Sequence, residues 1–372
     1  MKIAAGHWRS LFLNVHLAGG LVAGVFLLTL GLTGSIMAFE PEIDQLLHPS
    51  LFKVFPQGQP LSITTLSANV AAAKRPGENV RLCWISSKPD MSYFFLVEVK
   101  NRRLPRQVFV DQYTGRILGN VSVVRFTSVA HRLHGANGAL MGCASLILVI
   151  SAFSGLYLWW PLKRIKIEWR GSRRRLYFDL HNSVGFFSSF FLLVFGTTGA
   201  YMGLEFWTVP ATYKITGTKP QARLTSSTPQ NGAAPISPDE AVSIAKSSLP
   251  GAAPLWVVIP QAPTNSYLVK MRFPEDRTPN GNSAVWVDQY SGKALKASSS
   301  RALLPAKIES LNRAIHTGDI FGYLGRTLAC FMSLALVVQT ITGPYLWWTR
   351  RRQKRAGQRS PVPSSGFIAG GT

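Results

Sequence analysis

The sequence predicts an all-α four-helix membrane bundle with two extracytoplasmic α+β domains, built as an internal two-fold repeat. Three observations carry this. Four apolar runs, at about 11–39, 138–160, 178–204 and 321–348, are each long enough to cross a hydrocarbon core of about 30 Å at about 1.5 Å per residue. The long segments between them alternate apolar and polar residues as strands do. Finally, most of these pieces occur twice.

In chain order, residues 1–40 hold the N-terminus and first span, and 41–133 a first outer domain. The second span occupies 134–161, a basic loop 162–177 and the third span 178–205. A second outer domain covers 206–318, the fourth span 319–348 and a basic tail 349–372. The first span lies far from any good small-residue cleavage site, so it is expected to be retained rather than removed as a signal peptide. "PLKRIKIEWRGSRRR" holds seven basic residues against one acid, and "TRRRQKRAGQR" six and none. Such short basic stretches stay inside, which predicts cytoplasmic termini and long segments on the outer side of the membrane. The formal charge of +23 is thus partly topogenic and implies no nucleic-acid partner; membrane lipid is the expected surroundings. Three cysteines (Cys83, Cys143, Cys330) make no C-x-x-C-H, so covalent haem is excluded, as is a C-x-x-C zinc or redox pair. No dinucleotide-binding or P-loop glycine motif occurs.

The repetition is explicit. "VFVDQYTGRILG" (108–119) returns as "VWVDQYSGKALK" (285–296). Upstream of each lies a helical stretch, 61–73 and 238–248, the second opened by Ser237, Pro238 and Glu240 in a capping box. "RLCWI", "SYFFLVEV", "LWVVI" and "SYLVKM" read as strands, so each outer segment is predicted as a helix on a small antiparallel sheet. The spans repeat too. "VHLAGG" (15–20) matches "LHNSVG" (180–185), and "GLYLWWP" (155–161) matches "GPYLWWT" (343–349). Each span also contains a Thr-Gly or Ser-Gly step at Thr33, Ser154, Thr198 or Thr342, read as small pairs that let helices approach.

This arrangement resembles the PepSY-associated transmembrane family over about 10–350, on the "VDQYTG" and "VDQYSG" turns and the two "YLWW" helix ends. It looks most like the four-span members that reduce ferric siderophores with two b-type haems. The resemblance implies a bacterial inner-membrane protein with periplasmic outer domains, an iron-acquisition role and a ferric siderophore as substrate.

The chain has seven histidines. His16 and His181 lie about a turn inside the basic-loop end of spans one and three. His131 and His134 lie at the outer lip of span two, and His316 near that of span four. A histidine at the bilayer interface is commonly a packed polar group. Here five of seven fall at span ends, and two occupy matching places in the repeat, each 24 residues before a Glu (Glu40, Glu205). Ionisable groups inside a membrane are costly and mark function. Gly20, Gly138 and Gly185 follow His16, His134 and His181 at i+4, on the same helix face. Removing those side chains opens flat space beside the imidazole, as a porphyrin edge needs. Axial imidazoles from facing helices leave iron no open site and suit electron transfer. The expected pairs are His16 with His181 and His134 with His316, around two b-type haems.

His316 departs from the pattern. It precedes Trp347 by 31 residues, whereas His134 precedes Trp159 by 25, so an unbroken helix would lift it about 9 Å. Either the chain breaks at "TGDIFG" or His131 is the outer ligand. Arg326, with Arg132 and Arg313, is a candidate for haem propionates, and Asp179 for orienting His181. Interfacial snorkelling accounts for the arginines equally well.

The expected function is a haem-dependent oxidoreductase, a ferric-siderophore reductase fed by quinol or a flavoprotein. The rivals are a PepSY-type binding or regulatory protein without redox activity and an iron or siderophore carrier. The nearly apolar mid-span stretches weigh against transport.

Overall fold

The computed structural model describes residues 2–99, 105–122, 126–163, 165–219, 225–229 and 232–359. The end of the basic tail, beyond 359, lies outside the described residues. Four helices have the length and apolar composition to cross a membrane: α1 (Lys2–Met37), α6 (Gly138–Trp159), α7 (Arg173–Gly203) and α11 (Gly322–Arg359). By contact, the chain divides into two compact units.

The first unit, residues 1–31, 144–196 and 332–372, is a bundle of helix segments. Its core is thin: Ala23, Leu27, Ala144, Leu148, Leu192 and Leu336, flanked by Phe26 and Ile147. Large apolar side chains point outward instead, among them Val22, Val25, Phe153 and Phe190. That inverted pattern suits a lipid exterior, where small residues rather than a thick apolar core set helix contact. A Cβ on Gly31 would lie 2.9 Å from the Ser333 carbonyl oxygen, and one on Gly196 2.9 Å from Val149.

The second unit, residues 32–143 and 197–331, holds one eight-stranded antiparallel sheet. Its strands are β1 (Glu78–Trp84), β2 (Tyr93–Val99), β3 (Arg106–Val110), β4 (Ile117–Ser122), β5 (Ala253–Val258), β6 (Tyr267–Arg272), β7 (Ser283–Val287) and β8 (Ala294–Ser298). They run in the order β4-β3-β2-β1-β5-β6-β7-β8. The two outer segments therefore do not stand as separate sheets: β1 and β5 pair antiparallel through Leu82–Val258, Cys83–Val257 and Trp84–Trp256. Helices α4 (Ile63–Ala72) and α9 (Pro238–Ser248) cover one face. Leu66 and Val70 from α4, Ala241 and Ala245 from α9, and Cys83, Phe95, Val257, Val269 and Val285 from the strands form one continuous core. Asp239 in the first turn of α9 ties the two helices: its carboxylate accepts from the Ile63 and Thr64 amides, both at 2.8 Å, where α4 has orphan donors. α9 is opened by the expected capping box of Ser237 and Glu240.

The repeated "DQY" turns are built alike. Asp111 Oδ1 accepts from the Tyr113 amide at 2.9 Å, Asp288 Oδ1 from the Tyr290 amide at 2.9 Å, and Gly115 and Gly292 take positive φ. Gln112 and Gln289 donate back to carbonyls of the loops that lead into β2 and β6. The motif residues thus serve the turn.

Short helices complete this unit: α2 (Glu40–Leu47), α3 (Pro49–Phe52), α5 (Phe126–His134), α8 (Glu205–Ile215) and α10 (Leu304–Thr317). α5 is separate from α6, which Asn137 caps by accepting from the Leu140 amide. α10 ends at Gly318 (φ 80°), a single 3₁₀ turn follows, and α11 starts at Gly322 (φ 59°).

At Gly203, α7 crosses the start of α6 with almost no clearance: a Cβ would meet the Gly138 carbonyl oxygen and the Gly142 backbone at 2.6 Å. The expected result of Gly203→Val is a loss of about 3 kcal/mol or more from overpacking against backbone that cannot give. It would be read as loss of the monodisperse fraction in size-exclusion chromatography. A wild-type elution profile would refute the crossing.

Candidate functional site

Two pairs of histidines meet, one in each unit. In the bundle unit, α1 brings His16 and α7 brings His181; their ring centroids are 6.1 Å apart and their planes 81° apart. In the sheet-bearing unit, the C-terminal turns of α5 and α10 bring His134 and His316 to 6.2 Å at 61°. The break at Gly318–Gly322 lets α10 take its own direction, so His316 is not raised by the six extra residues of spacing.

Each imidazole is anchored through Nδ1 by a hydroxyl from a Ser-Gly or Thr-Gly step. His181 Nδ1 lies 2.9 Å from Thr342 Oγ1, His134 Nδ1 2.9 Å from Thr33 Oγ1 and His316 Nδ1 2.9 Å from Thr198 Oγ1. His16 Nδ1 lies 3.1 Å from Ser154 Oγ and donates to the Ser151 carbonyl at 2.9 Å. The proton bookkeeping is closed at two sites. A carbonyl only accepts, so His16 carries its proton on Nδ1. Thr342 Oγ1 donates to the Val338 carbonyl at 2.7 Å, so it accepts from His181. Both rings then offer the Nε2 lone pair as a potential ligand. The glycine of the step matters as well: a Cβ on Gly155 would lie 3.1 Å from His16 Cε1, and one on Gly343 3.3 Å from His181 Cε1. These four hydroxyls were visible in the sequence as Thr-Gly and Ser-Gly steps, but read there only as close-approach sites.

The remaining candidates fall elsewhere. A Cβ on Gly20 would meet nothing within 4 Å, so the space beside His16 is open. Gly138 and Gly185 differ from expectation. Gly138 lies against the Gly203 carbonyl, where a Cβ would come to 3.2 Å, and a Cβ on Gly185 would come to 3.2 Å from the Gln339 amide. Both permit protein packing rather than a flat vacancy, because other helices occupy that side. His131 is not brought to the outer pair: its side chain is 66% exposed and lies 3.4 Å from Glu40, whose hydrogen bond raises its pKa against the opposing effect of burial. Arg326 is committed to a fork on Glu42, with Nη1 donating to Oε1 at 2.8 Å and Nη2 to Oε2 at 2.5 Å, and its Nε donates to the Ala38 carbonyl at 2.8 Å. It ties α2 to α11. Asp179 accepts from Arg175 Nε at 3.1 Å and the Glu168 amide at 3.2 Å, so it organises the basic loop while Thr342 orients His181. His7 is exposed, and His48 sits between α2 and α3.

Four membrane-length helices and a separate antiparallel sheet define a multi-pass membrane protein with an attached sheet domain. The family model described as the PepSY-associated TM region matches residues 13–351, and the chain belongs to that family. No curated protein matches the chain.

Proposed function

We propose that this protein is a two-haem electron-transfer protein of the bacterial inner membrane that reduces a ferric siderophore on the periplasmic side. The observation that carries the reading is the two pairs of imidazoles, with ring centroids 6.1 and 6.2 Å apart. A metal held about 2 Å from each of two imidazole nitrogens puts the ring centroids roughly 6 Å apart. Among the described residues no group of three or more His, Cys, Asp or Glu could hold a metal, so a metal here fits best if it brings its other ligands, as haem iron does. The open space at Gly20 would leave room for a flat ring beside His16.

Two b-type haems would supply one-electron transfer at six-coordinate iron. The chain's own part is positional. His16, His181, His134 and His316 present Nε2, and Ser154, Thr342, Thr33 and Thr198 hold the opposite nitrogens, fixing ring orientation. With the basic loop and tail on the cytoplasmic side, as short basic stretches favour, the first pair would serve the cytoplasmic side and the second the periplasmic side, and electrons from quinol or a flavoprotein would run outward. Oxygen-rich chelates hold Fe(III) far more tightly than Fe(II), so one electron releases the metal.

The test is a visible spectrum of purified protein. A sharp Soret band that moves on adding dithionite is the expected result. A colourless preparation would sink the reading and favour a PepSY-type binding protein.

A further inference from the structure

We infer that the face of the sheet opposite α4 and α9 is the docking site for an anionic, aromatic ferric chelate of the catecholate type. This rests on the proposed reductase function and names the substrate class. The sheet's two faces differ. One is sealed by α4 and α9; on the other, residues paired across neighbouring strands form a row. Phe109 pairs with Phe94, Phe94 with Trp84, Trp84 with Trp256, and Trp256 with Lys270. Trp84 and Phe94 stack at 5.5 Å. The next row on the same face ends in Trp286 paired with Lys296, whose ammonium sits 5.3 Å from the indole ring.

The row closes at one end and opens at the other. α3 packs on β3 and β4, where Phe52 meets Phe109 at 4.9 Å and Phe109 is fully buried. Trp84, Trp256, Lys270 and Trp286 stay half-buried. Exposed indole faces are costly to leave in water and stack well on flat rings. The charge beside them is weighted to cations: Lys270, Lys296 and Arg313 stand against Asp276 and, next to Arg313, Glu309. Burial and the nearby Arg313 cation lower the pKa of Lys270, and Asp276 opposes this only in part. The Asp276 carboxylate is already engaged by the Phe273 amide and the Ser300 hydroxyl, both at 2.9 Å. Cations crowded together in a partly desolvated place are stabilised by an arriving anion. Arg313 also lies on α10 three residues before His316, about 4.5 Å along the helix and on the same side. The cationic end of the aromatic row thus borders the outer histidine pair, where an acceptor has to sit. Indole planes with ammonium and guanidinium groups suit a negatively charged chelate bearing aromatic rings. A neutral aliphatic hydroxamate offers neither the charge nor the ring.

The experiment uses gallium(III), which mimics the size and charge of iron(III) but takes no electron, so binding is read without turnover. Full-length protein in detergent is dialysed to equilibrium against the trianionic gallium complex of a tris-catecholamide, or the neutral complex of a cyclic trihydroxamate, and retained gallium is measured. The expected result is at least tenfold tighter retention of the anionic complex, falling steeply with salt. Lys270→Gln should cost about tenfold, and Trp256→Leu should weaken it further. Equal retention of the two complexes, or an unchanged affinity in Lys270→Gln, overturns the inference. Haem-replete protein that retains no gallium sinks this site and leaves the electron-transfer reading standing; colourless protein that retains the anionic complex does the reverse.

Discussion

His16→Ala is expected to purify with about half the wild-type haem, because one of the two proposed bis-imidazole sites would lose a ligand while the other is untouched. Removing the His16 ring leaves His181 without its ring partner at 6.1 Å, and His7, the remaining histidine of the bundle unit, is exposed and lies about two and a half turns back along α1. His134→Ala should remove a similar share, since it breaks only the other pair. The two variants should fail differently in turnover. If the proposed electron path is right, a protein without the inner pair should not accept electrons from a donor on the basic-loop side, and one without the outer pair should accept them but not pass them to a ferric chelate. His131→Ala, by contrast, should keep full haem content, because its side chain pairs with Glu40 rather than with the outer ligands. Pyridine haemochrome against protein concentration reads all three. An unchanged ratio in His16→Ala would refute that ligand.

Glu78→Gln should be the most damaging conservative change in the sheet. Glu78 is 3% exposed at the start of β1; its Oε2 accepts from Arg106 Nη2 at 2.6 Å and the Arg75 amide at 2.9 Å. Burial alone would raise its pKa, but these hydrogen bonds and the Arg106 charge outweigh it and hold the carboxyl below the usual range. A depressed carboxylate contributes stability above the unfolded-state value of about 4.3, and loses it as pH falls through the lower folded-state value. The variant leaves the guanidinium buried without a counter-charge, at a cost of about 3 kcal/mol. For a unit of this size that means a thermal midpoint lower by roughly 6–12 °C near neutral pH. The gap between variant and wild type should close as pH drops below about 4. A gap that stays constant from pH 7 to pH 3 would refute the ionic account.

Much of this was legible in the sequence, for definite reasons. The spans announce themselves by length and composition, and α9 by a capping box whose residues are local to one turn. The histidine pairs were legible because the repeat puts His16 and His181 at equal depth. What escaped depends on contacts that no local pattern encodes. The pairing of β1 with β5 rests on three residue pairs separated by the basic loop and two spans, so two small sheets looked sufficient. The role of Thr33, Ser154, Thr198 and Thr342 escaped because a hydroxyl beside a glycine reads equally well as a packing step; only the fold shows an imidazole opposite each. Gly20 and Gly185 occupy matching repeat positions, yet only Gly20 faces open space, since Gln339 fills the other side. Arg326 reads in the sequence as a propionate candidate or a snorkelling cation because its carboxylate partner, Glu42, lies 284 residues away.

The seam between β1 and β5 has a consequence for how the protein is made. During synthesis β1 emerges with one side of its backbone unpaired, and the strand that closes it arrives about 170 residues later. At cellular elongation rates that interval is on the order of ten seconds, with two further spans inserted meanwhile. Throughout it, the first half presents a bare strand able to template onto a sister chain, so the nascent chain needs shielding until its own second half takes the vacancy.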